Sequence, residues 1–92
     1  MRHHMIRVFL HYGDDRHYRH LEQSLHQRGI VPFLRLKTGK SYRLPTGEYY
    51  LHSHLGIDEI REQVFEIASQ IGKASVLVTS AEKIAWVGLD AC

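Results

Sequence analysis

The feature that most constrains this chain is the order in which its hydrophobic periodicity changes. From Met5 to His11 the apolar residues alternate, with Ile6, Val8 and Leu10 on one side and Arg7, Phe9 and His11 on the other. A period of two is a half-buried strand. Met1-Arg2-His3-His4 reads as a short lead-in to it. From Arg16 to Arg28 the period lengthens: Tyr18, Leu21 and Leu25 recur at helical spacing among Arg, His, Glu, Gln and Ser, giving an amphipathic helix with one apolar stripe. Gly13-Asp14-Asp15 supplies the turn and N-cap before this helix, and Gly29 the residue that ends it. Ile30 to Lys37 is β-rich, and Pro32 near its start, unable to donate to a ladder, marks an edge strand. Thr38-Gly39-Lys40 forms a hairpin connection to Ser41–Ser53, read as one long strand that Leu44-Pro45-Thr46-Gly47 bends or bulges. A second helix runs from a cap at Asp58 to about Ile71, with Ile60, Val64, Ile67 and Ile71 as its stripe. Ala74 to Thr79 is a last apolar strand, and residues 81–92 are a short extra strand or a tail that packs through Trp86.

The order β-α-β-β-α-β predicts an α+β, ferredoxin-like domain over residues 1–92. Its four-stranded antiparallel sheet carries two helices on one face. The first and third strands are then adjacent at the centre, and the other sheet face is open. A chain of 92 residues buries only about 60–65% of its unfolded surface, so marginal stability or a homodimer is expected. No apolar run is long enough to span a membrane. The lone cysteine, Cys92, cannot staple the fold, which points to a cytoplasmic protein.

The net charge of +2 conceals a polarity. Residues 1–46 carry nine Lys/Arg against three Asp/Glu, while residues 47–92 carry three against seven. Six of the eight histidines lie in the basic half. On the predicted open face, Arg7, Phe9 and His11 of the first strand meet Glu48, Tyr50, His52 and His54 of the third. Aromatic and basic side chains on such a sheet suit single-stranded RNA: rings stack on unpaired bases and cations hold phosphates. Arg7, Arg35, Lys37 and Arg43 are the candidate phosphate ligands. Phe9 and Tyr50 are the candidate stacking residues, and His54 a further contact. Cleavage of RNA needs a base for the 2′-hydroxyl and an acid for the leaving oxygen, roles for which His11 and His52 are the candidates. An aromatic open face is equally what a homodimer interface looks like.

Metal chemistry has weaker support. His17 and His20 share a helix face and His52 and His54 a strand face, but no third strong ligand and no HExxH or CxxC pattern accompanies them. Asp14 and Asp15, just beyond the first strand, are a candidate divalent-metal pair, with helix capping as the competing reading. Otherwise no cofactor is expected.

Tyr42-Arg43-Leu44-Pro45-Thr46-Gly47-Glu48-Tyr49 resembles a Tyr-x-Leu-Pro-x-Ala-Glu-Tyr segment of small proteobacterial proteins grouped with the GhoS-type endoribonuclease antitoxins. Ile6–His11 is similar to the opening strand of that group and Ser75–Thr79 to its last, so the resemblance covers most of residues 5–80. Gly47 stands where the pattern has Ala, and Phe9 where it has a polar residue. The resemblance implies a ferredoxin-like fold and cleavage of a toxin mRNA, that is, the antitoxin of a type V toxin–antitoxin system. A reading of another class is a small non-enzymatic module that binds a protein partner, carried by a mobile element as an inhibitor and docking by its open face or a strand edge. A structural homodimer is a third.

Overall fold

In the computed structural model, which describes all 92 residues, the first strand, β1 (Arg2–Leu10), occupies the centre of the sheet. It is paired antiparallel on one side with β4 (Glu48–Ser53) and on the other with β5 (Ala74–Ala81). Its alternation continues past the expected start at Met5: His4, Ile6, Val8 and Leu10 are all buried. Arg2 to His4 therefore belong to the strand and not to a lead-in. A histidine is tolerated at a core position because both ring nitrogens have partners, Nδ1 at 2.6 Å from Ser80 Oγ and Nε2 at 3.1 Å from the Ser53 carbonyl.

Two helices cover this buried face. Leu21 and Leu25 of α1 (Asp15–His26) and Ile60, Val64 and Ala68 of α2 (Ile57–Ile71) pack with Ile6, Val8, Leu10, Ile30 and Tyr49 into one core. Each large aliphatic side chain among them gains roughly 1.5–3 kcal/mol from burial. The Tyr18 hydroxyl accepts the Leu10 N–H at 2.9 Å, tying the start of α1 to the end of β1.

Asp14 caps α1, its Oδ1 accepting the backbone N–H groups of Arg16 and His17 at 3.0 and 3.2 Å. The His17 N–H bond is the main reason the Asp14 carboxyl is held below its usual value of 3.8. A carboxylate with a depressed folded pKa stabilises the fold above its unfolded pKa and loses that contribution as pH falls through the folded value. Asp14→Asn keeps a good cap without the charge. The stability gap between parent and variant is therefore expected to be present above the usual carboxylate value of 3.8 and to close as pH falls through the lower folded value, as measured by denaturation at each pH. For α2 the expected cap was Asp58, but Gly56 holds the cap position with no side-chain bond, and Asp58 sits in the first turn, 3.0 Å from Arg61.

The strands between the helices depart from a continuous four-stranded sheet. The main sheet has three strands, in the order β4-β1-β5, and β2 (Phe33–Arg35) pairs with β3 (Ser41–Arg43) as a separate hairpin. What remains of an edge strand beside β4 is one bridge: Val31 and Tyr50 exchange backbone bonds of 3.0 and 2.7 Å. The next residue, Pro32, turns its backbone to the other side, where its carbonyl accepts the Leu44 N–H at 2.9 Å, and from Phe33 on the chain pairs with β3 instead of β4. The expected single strand Ser41–Ser53 is likewise two strands, β3 and β4. The Leu44–Gly47 turn between them ends on Gly47 at φ 85°.

Residues 82–92 leave β5 and run to the hairpin. Ile84, Ala85, Trp86 and Leu89 line a cavity with Met5, Leu34, Leu44, Pro45 and Glu48, so the segment crosses the sheet face opposite the helices. Trp86 packs on Tyr42, with ring centroids 6.1 Å apart. The end of the segment pairs with β3: Arg43 N–H donates to Asp90 O and Cys92 N–H to Ser41 O, both at 2.9 Å. The tail thus packs through Trp86, and its one strand-like contact is the bridge between Ala91 and Tyr42.

Candidate functional site

The face opposite the helices carries the side chains that the alternation assigns to it. Successive rows across β4 and β1 are His52 with His3, Tyr50 with Met5, and Glu48 with Arg7, followed by Phe9 and then His11 beyond the end of β1. On the other flank Leu77 faces Arg7 and Ser75 faces Phe9. The face is not fully open, because the C-terminal segment lies over its Met5 and Glu48 region. Phe9 and Leu77, towards the far end, are 56% and 59% exposed.

The same register separates two candidate residues. His52 lies opposite His3, and His11 is eight residues further along β1, so His11 and His52 are about 26 Å apart at 3.3 Å per residue. An acid and a base acting on one phosphate must both be within hydrogen-bond reach of it. The expected His11/His52 pair is therefore not one site within a single chain.

Each histidine has other company. At one end, His52 is stacked on His3, ring centroids 4.8 Å apart and planes within 8°, and His3 Nδ1 is 2.6 Å from the Tyr50 hydroxyl. Burial raises the Tyr50 pKa, and a Tyr50 hydroxyl that donates to Nδ1 leaves Nε2 as the His3 ring nitrogen free for other partners. Beside this group is a cleft of about 390 Å³ between the hairpin and the C-terminal segment, lined by His3, Tyr50, Arg35, Lys37, Lys83 and Trp86 among others. Arg35 extends over the Phe33 ring, 5.9 Å from its centroid. Three cations against one carboxylate, Glu82, make the lining positive.

At the other end, His11 Nε2 is 2.8 Å from Ser75 Oγ, and the ring sits edge-on to Phe9 at 4.8 Å. Tyr12 follows in a left-handed conformation, φ 67°, and is 96% exposed, a backbone state that costs a non-glycine residue roughly 1–2 kcal/mol. Lys73 and His17 complete a smaller recess there.

The remaining candidates divide. Arg7 is exposed and loosely paired with Glu48 at 3.3 Å, a surface contact worth about 0–1 kcal/mol and easily exchanged for a phosphate. His54 lies just beyond β4 and is exposed. Arg43 is turned away from this face: its guanidinium makes a two-pronged bond to Glu22 of α1, at 3.2 and 2.7 Å, and that partner raises its pKa. Arg43 is thereby a brace between hairpin and helix and drops out of the phosphate ligands. Asp14 is occupied as the α1 cap, and no three His, Cys, Asp or Glu side chains are grouped to hold a metal ion. No helix is long and apolar enough to cross a membrane.

Sequence reasoning missed His3, Lys83 and Trp86 as site residues. His3 was findable, since it has the parity of Met5, Arg7 and Phe9 on the same strand. Lys83 and Trp86 lie in a segment with no periodicity and are brought in only by the path of the tail. No family model, curated protein or solved structure matches the chain.

Proposed function

We propose that the protein binds single-stranded RNA in the cleft between the hairpin and the C-terminal segment and along the neighbouring sheet face, and that it cleaves the strand at the His3–His52 end. The observation that carries this reading is the cleft itself. It sets Arg35, Lys37 and Lys83 around the aromatic surface of Trp86, beside Tyr50 and His3, the pairing of cations and a flat ring that holds an unpaired nucleotide. Arg7 and His54 extend the phosphate contacts, and exposed Phe9 offers a further stacking surface. Tyr50 orients His3 rather than stacking a base.

Cleavage on this reading is an internal transfer. The 2′-oxygen bonds to phosphorus as the P–O5′ bond breaks. One imidazole takes the 2′-hydroxyl proton, the other gives a proton to O5′, and the products are a 2′,3′-cyclic phosphate and a 5′-hydroxyl. The nearby cations stabilise the charge that gathers on the phosphoryl oxygens.

The reading takes the fold as ferredoxin-like, with Val31 standing where the fourth strand would run. It also takes the chain as akin to the GhoS-type antitoxins, so a toxin mRNA is the proposed target and the cytoplasm the proposed location.

The test is salt-dependent binding of a fluorescent single-stranded oligonucleotide. Affinity is expected to fall with salt, and Arg35→Ala with Lys37→Ala together should flatten the logarithmic slope by about 1.4, or 0.7 per lost phosphate contact. Salt-independent binding, or none, would overturn the proposal.

A further inference from the structure

We infer that β5 is a dimerisation edge, at which two copies of this chain join β5 to β5 about a two-fold axis and merge their sheets into one of six strands. β5 is the last strand in the order β4-β1-β5, and nothing pairs with its outer side. The bond from His11 N–H to the Lys73 carbonyl sets the phase of the ladder. Residues 73, 75, 77, 79 and 81 exchange bonds with β1, so the N–H and C=O groups of Ala74, Val76, Val78 and Ser80 point outward.

Proteins usually blunt such an edge with a proline, a bulge or an inward-pointing charge. Ala-Ser-Val-Leu-Val-Thr-Ser-Ala has none of these. The apolar side chains along it are also incompletely covered: Val76, Val78, Ile67 and Ile71 are half-buried on the helical side, and Leu77 is exposed on the other.

What fits this edge is a second copy. A two-fold axis perpendicular to the sheet keeps the two faces in register, so residues of the same parity must oppose one another. Centred on Leu77, that pairing sets Leu77 against the partner's Leu77, Val76 against the partner's Val78 and Ala74 against the partner's Ser80. Every outward backbone group from Ala74 to Ser80 then finds its complement. The strand carries no charge between Lys73 and Glu82, so no like charges are opposed. Antiparallel pairing also brings the Lys73 end of one copy to the Glu82 end of the other. Both binding faces come to lie on the same side of the joined sheet.

Light scattering after size-exclusion chromatography should give a dimer for the full chain at high micromolar concentration. In a Cys92→Ser background, Leu77→Cys should form an intermolecular disulfide on mild oxidation, because residues facing each other across a non-hydrogen-bonded pair have Cβ atoms about 4.5–5.5 Å apart. Thr79→Cys, which would face the partner's Ser75, should not. Val78→Pro removes an outward N–H that the monomer does not use, and Leu77→Lys opposes two ammonium groups. Each should weaken the dimer by roughly tenfold or more, and Leu77→Lys, altering an exposed side chain, does so without disturbing the core. A monomeric parent chain, equal cross-linking by the two cysteines, or a Leu77→Lys variant as dimeric as the parent would overturn the assignment.

Discussion

Replacing His52 by alanine is expected to slow cleavage of single-stranded RNA by about 10²-fold or more, and His3→Ala by as much, because each removes one of the two proposed proton carriers. His11→Ala is expected to leave the rate near the parental value, since the β1–β4 register sets His11 about 26 Å from His52. On the proposed reading the phosphates are held by Arg35, Lys37 and Lys83 and the base by Trp86, so oligonucleotide affinity should change little in any of the three. The reading is thus tested on rate at saturating substrate. Tyr50→Phe, which removes the hydroxyl 2.6 Å from His3 Nδ1, should fall between parent and His3→Ala and alter the pH–rate profile, as expected of a positioning residue. Two-imidazole transfer needs no metal, so the rate should survive EDTA. Parental rates in both His3→Ala and His52→Ala, or a large loss in His11→Ala alone, would sink the assignment of the site and leave the binding proposal to be judged by its salt dependence.

That shift from His11 to His3 shows what the sequence can carry. The two-residue alternation of β1 and β4 assigned Arg7, Phe9, His11, Tyr50 and His52 to one face and Ile6, Val8 and Leu10 to the other, as the structure has them. The helical stripes and the Gly29 terminus were equally legible, because burial imposes those periods locally. Distance along a face was not. Which residue of β4 lies opposite which residue of β1 depends on the path between them, and there Ile30–Lys37 and Ser41–Ser53, each read as one strand, are interrupted in the structure. The start of β1 was missed because a core histidine carries no hydrophobic signal: His4 is buried through bonds to Ser80 and Ser53, far away in sequence. Arg43 looked like a free cation for the same reason, its partner Glu22 being on another element. The cleft was invisible because one wall is the aperiodic tail.

Gly47→Ala is expected to destabilise the fold by about 2–3 kcal/mol, combining the left-handed backbone penalty of roughly 1–2 kcal/mol with a strained or lost hydrogen bond of about 1 kcal/mol. Gly47 has φ 85°, and a Cβ built on it would lie 2.7 Å from the Val8 carbonyl oxygen, a backbone atom that cannot swing aside. The Val8 N–H donates to the Gly47 carbonyl at 2.8 Å, so relieving the clash pulls on the bond that aligns β4 with β1. For a chain of this size the cost is a fall in thermal midpoint of roughly 10–20 °C, measurable alongside chemical denaturation. This position is also where the chain departs from the Tyr-x-Leu-Pro-x-Ala-Glu-Tyr pattern. A large loss means that the turn into β4 has a geometry closed to alanine here, so the resemblance at this segment is one of sequence and not of backbone. A neutral Gly47→Ala would instead mean that the turn relaxes to a conformation open to alanine, and would strengthen the case for a shared bend.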